Sequence, residues 1–114
     1  MTALTPVAVE RELSRLIAAA EDNACELADR AHDAGQAEHA YKVAYAKALL
    51  RADGSVAVRE AQALLTAQDE HLARKIAEAR LLAAQEAGRM IRASLDALRS
   101  INTNVRLAIG SDGF

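Results

Sequence analysis

Apolar residues return three and four positions apart along most of the chain, the spacing of helices with one apolar face. The longest such stretch covers residues 68–109, with no proline and Gly88 as its one glycine. It predicts a single helix about 60 Å long, at about 1.5 Å per residue. With Leu81 at an a position, the a/d series runs Leu81, Ala84, Gly88, Ile91, Leu95, Leu98, Asn102, Val105, Ile109, apolar or small except at Asn102. A chain of 114 residues is not expected to wrap such a length alone, so Leu81, Ile91, Leu95, Leu98, Asn102, Val105 and Ile109 are read as the interface of a homo-oligomer. Beside this seam Arg92, Arg99 and Arg106 recur every seven residues, hence on nearly one side of the helix.

The rest of the pattern predicts an all-α chain of three to four helices, as a helical bundle or coiled-coil oligomer. Thr5 before Pro6 marks a helix start after a disordered lead at residues 1–4, since proline at the first helical position loses no needed N–H. The first helix, residues 6–33, turns Val9, Leu13, Leu16, Ile17, Ala20, Ala24, Leu27 and Ala31 inward. Gly35 reads as its stop, with Asp33 and Gln36 at capping-box spacing for a second helix over 36–52, although an unbroken helix is compatible with so short a turn. Asp53-Gly54-Ser55 is the clearest turn, Gly54 supplying a left-handed conformation and Ser55 capping a third helix over 55–66. Thr66 with Asp69 has the spacing to cap a fourth helix, 68–109. Leu65, Leu72, Ile76 and Ala79 form a line out of phase with the later seam, as when a helix packs first on its own chain and then on a neighbour. Residues 1–109 make one domain, and Gly110 begins a flexible tail over 110–114.

Composition supports the helical reading: 28 alanines, one proline and few β-branched runs. The formal charge of −2 hides an asymmetry, since residues 1–39 hold 3 basic and 8 acidic residues while residues 40–114 hold 11 basic and 8 acidic. The lone Cys25 excludes an intramolecular disulfide, no run approaches a membrane span, and the charged N-terminal stretch does not resemble a signal peptide. These features place the protein in the cytoplasm.

Candidate chemistry is sparse. Cys25, Asp29, His32 and His39 recur near one side of the first helix, but a metal site needs ligands from a second element, and His71 does not pair with them. No glycine-rich phosphate loop, GxSxG or HExxH occurs, so no catalytic residue, metal or cofactor is expected and the chain is read as a non-enzyme. Between Arg74 and Arg106 lie 7 basic and 3 acidic residues, which serve either an acidic partner or ion pairs with Glu86, Asp96 or a neighbouring subunit. Tyr41 and Tyr45 beside Lys42 are candidates for base stacking or for the core. Asn102 either fixes the register of an oligomer or faces water.

The run MIRASLDALRSINTNVRLAI, centred on residues 94–100, resembles the last helix of UvsY-like recombination mediators of bacteriophages, and YKVAYAKALLRADGS, Tyr41 to Ser55, resembles their earlier helix and its closing glycine turn. The resemblance covers about two thirds of the chain, Tyr41 to Ile109. It implies a helical protein that assembles into rings, binds single-stranded DNA, and loads a RecA-type recombinase onto strands coated by single-strand-binding protein in a bacterial host cell. The family's basic pair before the glycine turn corresponds here to Lys42, Lys47 and Arg51 at a different spacing, and its central aromatic residues are replaced by alanine and leucine. The expectation is an oligomeric, non-enzymatic mediator holding DNA phosphates through Lys42, Lys47, Arg51, Arg92, Arg99 and Arg106. The alternative is a structural or regulatory adaptor acting by protein–protein contact without DNA.

Overall fold

Thr5, the turn at residues 52–55 and Ala67 are the only non-helical parts of residues 5–112, which the computed structural model describes. The elements are α1 (Pro6–Arg51), α2 (Val56–Thr66) and α3 (Gln68–Asp112), an all-α fold without strands among the described residues. None of these helices is long and apolar enough to cross a membrane. The expected lead at residues 1–4 lies outside the described residues.

Helix α1 starts as expected: Thr5 Oγ1 accepts from the N–H of Ala8 at 3.1 Å, and Thr5 O accepts from Val9 at 3.0 Å. It then runs 46 residues without the break expected at Gly35. A mid-helix glycine costs only about 1 kcal/mol relative to alanine, which the alanine-rich flanks absorb, and Gly54 is the one described glycine with positive φ. Asp33 and Gln36 therefore lie inside α1 and form no cap. At the Asp53-Gly54-Ser55 turn Gly54 has φ +115°, and Ser55 Oγ accepts from the N–H of Val58 at 3.3 Å, so this turn forms as read.

Between α2 and α3 the interruption is a single residue. Ala67 donates to Ala63 O at 3.0 Å and accepts from His71 N–H at 3.0 Å, so the ladder is nearly continuous. Thr66 is not a cap, because its hydroxyl donates back to Gln62 O at 2.9 Å. Helix α3 continues through Gly110 to Asp112, past the expected start of a flexible tail, and Gly113 and Phe114 lie outside the described residues.

The chain divides into two compact units, Met1–Glu26 with Gln85–Phe114, and Leu27–Ala84. In the first unit, α1 and α3 run antiparallel, since Glu10 meets Arg106 while Asn23 meets Gly88. Val9, Leu16, Leu95 and Leu98 form its buried core, with Leu13, Ala20, Ile91 and Ile101 packed around them. Burying such a side chain is worth roughly 1.5–3 kcal/mol. Ile17 stays 46% exposed and Ala24 is exposed, because the inward line passes instead through the buried polar Asn23. Gly88 is needed there: a Cβ at this position would lie 2.5 Å from Asn23 Oδ1.

The second unit is built differently. Its buried apolar residues are Ala48, Ala63, Ala67 and Ala84. Around them Tyr41, Tyr45, Leu49 and Leu81 are half-buried, and Ala31 is exposed. Tyr41 packs against Tyr45 and His71, ring centroids 6.1 and 5.2 Å away, and Arg74 Cζ stands 5.5 Å from the centre of its ring.

Candidate nucleic-acid interface

In the first unit the α3 arginines form the expected row. A seven-residue step turns a helix only about 20° short of two full turns, so Arg92, Arg99 and Arg106 succeed one another about 10 Å apart along one exposed side. Arg106 Nη2 lies 3.7 Å from Glu10 Oε1 on α1, and Arg99 Nη1 lies 3.8 Å from Asp96 Oδ1. Both arginine side chains remain more than 60% exposed, and Arg92 has no ion pair among the described residues. Exposed pairs of this kind contribute about 0–1 kcal/mol, so a phosphate can replace the carboxylate at little cost.

The second unit does not gather its three basic residues. At about 100° per residue Lys47 and Arg51 share a side of α1, whereas Lys42 stands about 140° from Lys47. Lys42 Nζ is also held 3.0 Å from Glu38 Oε1, and this hydrogen bond, with the charges of Lys42 and Arg74, keeps the Glu38 carboxyl below its ordinary pKa. Lys47 and Arg51 instead line an open groove of about 390 Å³ with Ala44, Ala48, Gln62 and Thr66. The groove lies at the C-terminal end of α1, where the helix dipole disfavours an anion.

Sequence reasoning missed the cross-helix network around Arg74. Arg74 Nε donates to Glu78 Oε1 at 2.9 Å, Lys75 Nζ lies 3.6 Å from Glu78 Oε2, and the Arg74 guanidinium covers Tyr41. The nearby tyrosine pair with basic residues was its only legible signal. With Arg74 and His71 against its ring, Tyr41 packs between helices and is not an open platform for a base. Arg59 also turns inward: its Nη2 donates to Leu49 O at 3.5 Å and its Nε is buried without a partner among the described residues.

The seam expected to meet another subunit meets its own chain. Leu95 and Leu98 are buried against α1, Ile91 packs on them, and Leu81, Asn102 and Val105 are half-buried. Ile109 alone of the seven stands open, at 54% exposure. Within the first unit the N-terminal part of α1 supplies the cover that a second subunit was expected to give. Asn102 is only partly open to water, its Oδ1 buried with no hydrogen bond among the described residues. Ile101, one position earlier and outside the heptad series, joins the core.

What stands open is the earlier line, with Leu65 68%, Leu72 60% and Ile76 45% exposed, and with Leu82 and Leu64 beside it at 64% and 50%. Cys25 is exposed, and among the described residues no three histidine, cysteine or acidic side chains form a metal-holding group. Comparison of the chain with protein-family models, with curated proteins and with solved structures finds no match.

Proposed function

We propose that this protein is a non-enzymatic recombination mediator: an oligomer that holds single-stranded DNA by its phosphates and helps load a RecA-type recombinase onto strands coated by single-strand-binding protein. The observation that carries the DNA part is the exposed row Arg92, Arg99 and Arg106, three planar cations along one side of one helix with only surface ion pairs to displace. Each contact is weak and exchangeable. Repetition of the row across an assembly turns weak contacts into firm holding by multivalency, which suits a protein that must pass its strand on. The recombinase and the phage setting rest on the resemblance of residues 41–55 and 90–109 to UvsY-like mediators.

Labelled oligo-dT titrated with protein tests this reading. Binding is expected at about 50 mM salt and to weaken steeply as salt rises, with the slope reduced by about 0.7 for each phosphate contact removed. Arg92→Ala with Arg99→Ala should cut the affinity and flatten that slope. Absence of binding at low salt, or binding indifferent to both substitutions, removes DNA from the proposal. A helical adaptor acting only through protein contacts is the second reading, favoured by the carboxylates Glu10 and Asp96 already beside two of the three arginines. Recombinase assembly on strands coated by single-strand-binding protein, measured with and without this chain, separates the two.

A further inference from the structure

The Leu27–Ala84 unit leaves a line of large aliphatic side chains exposed on α2 and α3, with Ile76 and Arg80 at its edge bordering a groove shared with Arg30 and Asp33 of α1. On α3, Leu72, Ile76 and Ala79 fall within about 60° of one another, roughly opposite the half-buried Arg74, Ala77 and Leu81. Leu82 flanks them, and α2 adds Leu64 and Leu65. At roughly 100 Å² apiece these five aliphatic side chains offer roughly 500 Å² per chain, so a self-pair would bury about 1,000 Å², the lower bound for a specific interface. The exposed Ala61, Ala79 and Ala83 add to it. A patch of this size lies toward the upper end of what a single chain exposes, and such patches are often functional.

We infer that this exposed face binds a second copy of the same chain through a two-fold antiparallel pairing of α3 with α3. Leu72, Ile76 and Ala79, the middle of the patch, carry no charge for a phosphate to meet, which points away from nucleic acid. Its edge is self-complementary. Asp69 and Arg80 lie eleven residues apart on the same flank of α3, about 60–80° from Leu72, and neither has an ion pair within the chain among the described residues. A pairing that brings Leu72 next to Ile76 of the second copy brings Asp69 alongside Arg80 of the second copy, and symmetry repeats the contact. Parallel pairing would put this flank of the two copies on opposite sides of the seam, where Asp69 and Arg80 could not meet. Lys75, near the two-fold axis, has its own Glu78 carboxylate 3.6 Å away to offset its charge.

This inference deepens the oligomer part of the proposed function and stands apart from DNA, so the two fail separately: mass is read without DNA and changed by Leu72 and Ile76, whereas DNA binding is changed by Arg92 and Arg99. Sedimentation equilibrium at about 100 µM, where a micromolar self-association is nearly complete, should give twice the 12.2 kDa chain mass. Leu72→Glu with Ile76→Glu should give the single-chain mass with unchanged circular dichroism, because both side chains are already exposed. A wild-type monomer, or an unchanged mass in the double variant, overturns the proposal. Asp69→Arg alone should weaken association roughly tenfold, as two edge pairs become repulsive together, and Asp69→Arg with Arg80→Asp should restore it. A reversed pair no tighter than Asp69→Arg alone overturns the antiparallel register.

Discussion

The two units bury opposite kinds of side chain. The unit made from the two ends of the chain turns Val9, Leu16, Leu95 and Leu98 inward, whereas the Leu27–Ala84 unit buries alanines and leaves Leu64, Leu65, Leu72 and Leu82 at 50% exposure or more. Buried aliphatic bulk stabilises a pair of helices; buried alanine lets them approach closely but removes little apolar surface from water. The difference therefore assigns the firmer core to the first unit, while both units keep large apolar side chains exposed, Met90 and Leu107 in the first and Leu65 and Leu72 in the second.

The largest test of that contrast is a matched pair of truncations. Leu95→Ala should lower unfolding free energy by about 2–5 kcal/mol, from lost transfer energy and the cavity left behind. Leu65→Ala, at 68% exposure, should change the stability of the free chain by no more than about 0.5 kcal/mol. Urea unfolding at concentrations too low for association measures both. Equal losses would erase the distinction between the units.

Two glycines sharpen it at a smaller scale. Gly88→Ala would place a Cβ 2.5 Å from Asn23 Oδ1, and the forced movement is expected to cost about 1–3 kcal/mol. Gly35→Ala meets nothing within 4 Å and should stabilise the chain by about 0.5–1 kcal/mol, the gain of alanine over glycine inside a helix. A thermal melt that moves both variants in one direction would contradict this local geometry. Ser55→Ala, which removes the cap on α2, should cost about 1 kcal/mol.

These positions also show how far the chain could be read before its fold was known. Thr5-Pro6 and Asp53-Gly54-Ser55 were legible because their chemistry is local: a hydroxyl over free N–H groups, and a glycine where φ must be positive. The seam from Leu81 to Val105 was legible as an apolar line. Its covering partner was not, because periodicity reports which face is apolar and is silent on what lies over it. Leu65, Leu72 and Ile76 recur as regularly as Ile91, Leu95 and Leu98, so spacing alone could not tell that α1 covers the second line and leaves the first open.

Gly35 misled because one glycine was weighed as a stop, although helix on both sides outweighs its cost of about 1 kcal/mol. Of the candidate site, the arginine row was legible from its seven-residue step, while the separation of Lys42 from Lys47 and Arg51 follows from their five- and nine-residue offsets. The Glu10 carboxylate beside Arg106 comes from across the helix pair and left no local signal.

The smallest expected effect compares one carboxylate from each unit. Glu12 in the first unit is held below its ordinary pKa chiefly by the hydrogen bond from Arg15, and Glu38 in the second chiefly by the hydrogen bond from Lys42, with the charges of Lys42 and Arg74 adding to it. A carboxyl group whose pKa is lower in the folded chain contributes stability above its unfolded pKa and loses that contribution as pH falls through the folded value. Both carboxylates reach solvent, so salt should weaken both effects. They differ in where the help comes from: Arg15 is a neighbour on the same helix turn, whereas Arg74 reaches Glu38 from α3. Carboxyl-carbon chemical shifts followed through an acid titration should therefore show Arg15→Gln releasing Glu12 from its depression, while Lys42→Gln releases Glu38 only in part, because Arg74 remains. Adding Arg74→Gln should complete the release. A full return of Glu38 in Lys42→Gln alone would mean that the α3 charge does not reach α1, and would loosen the close helix approach that the alanine core of this unit implies.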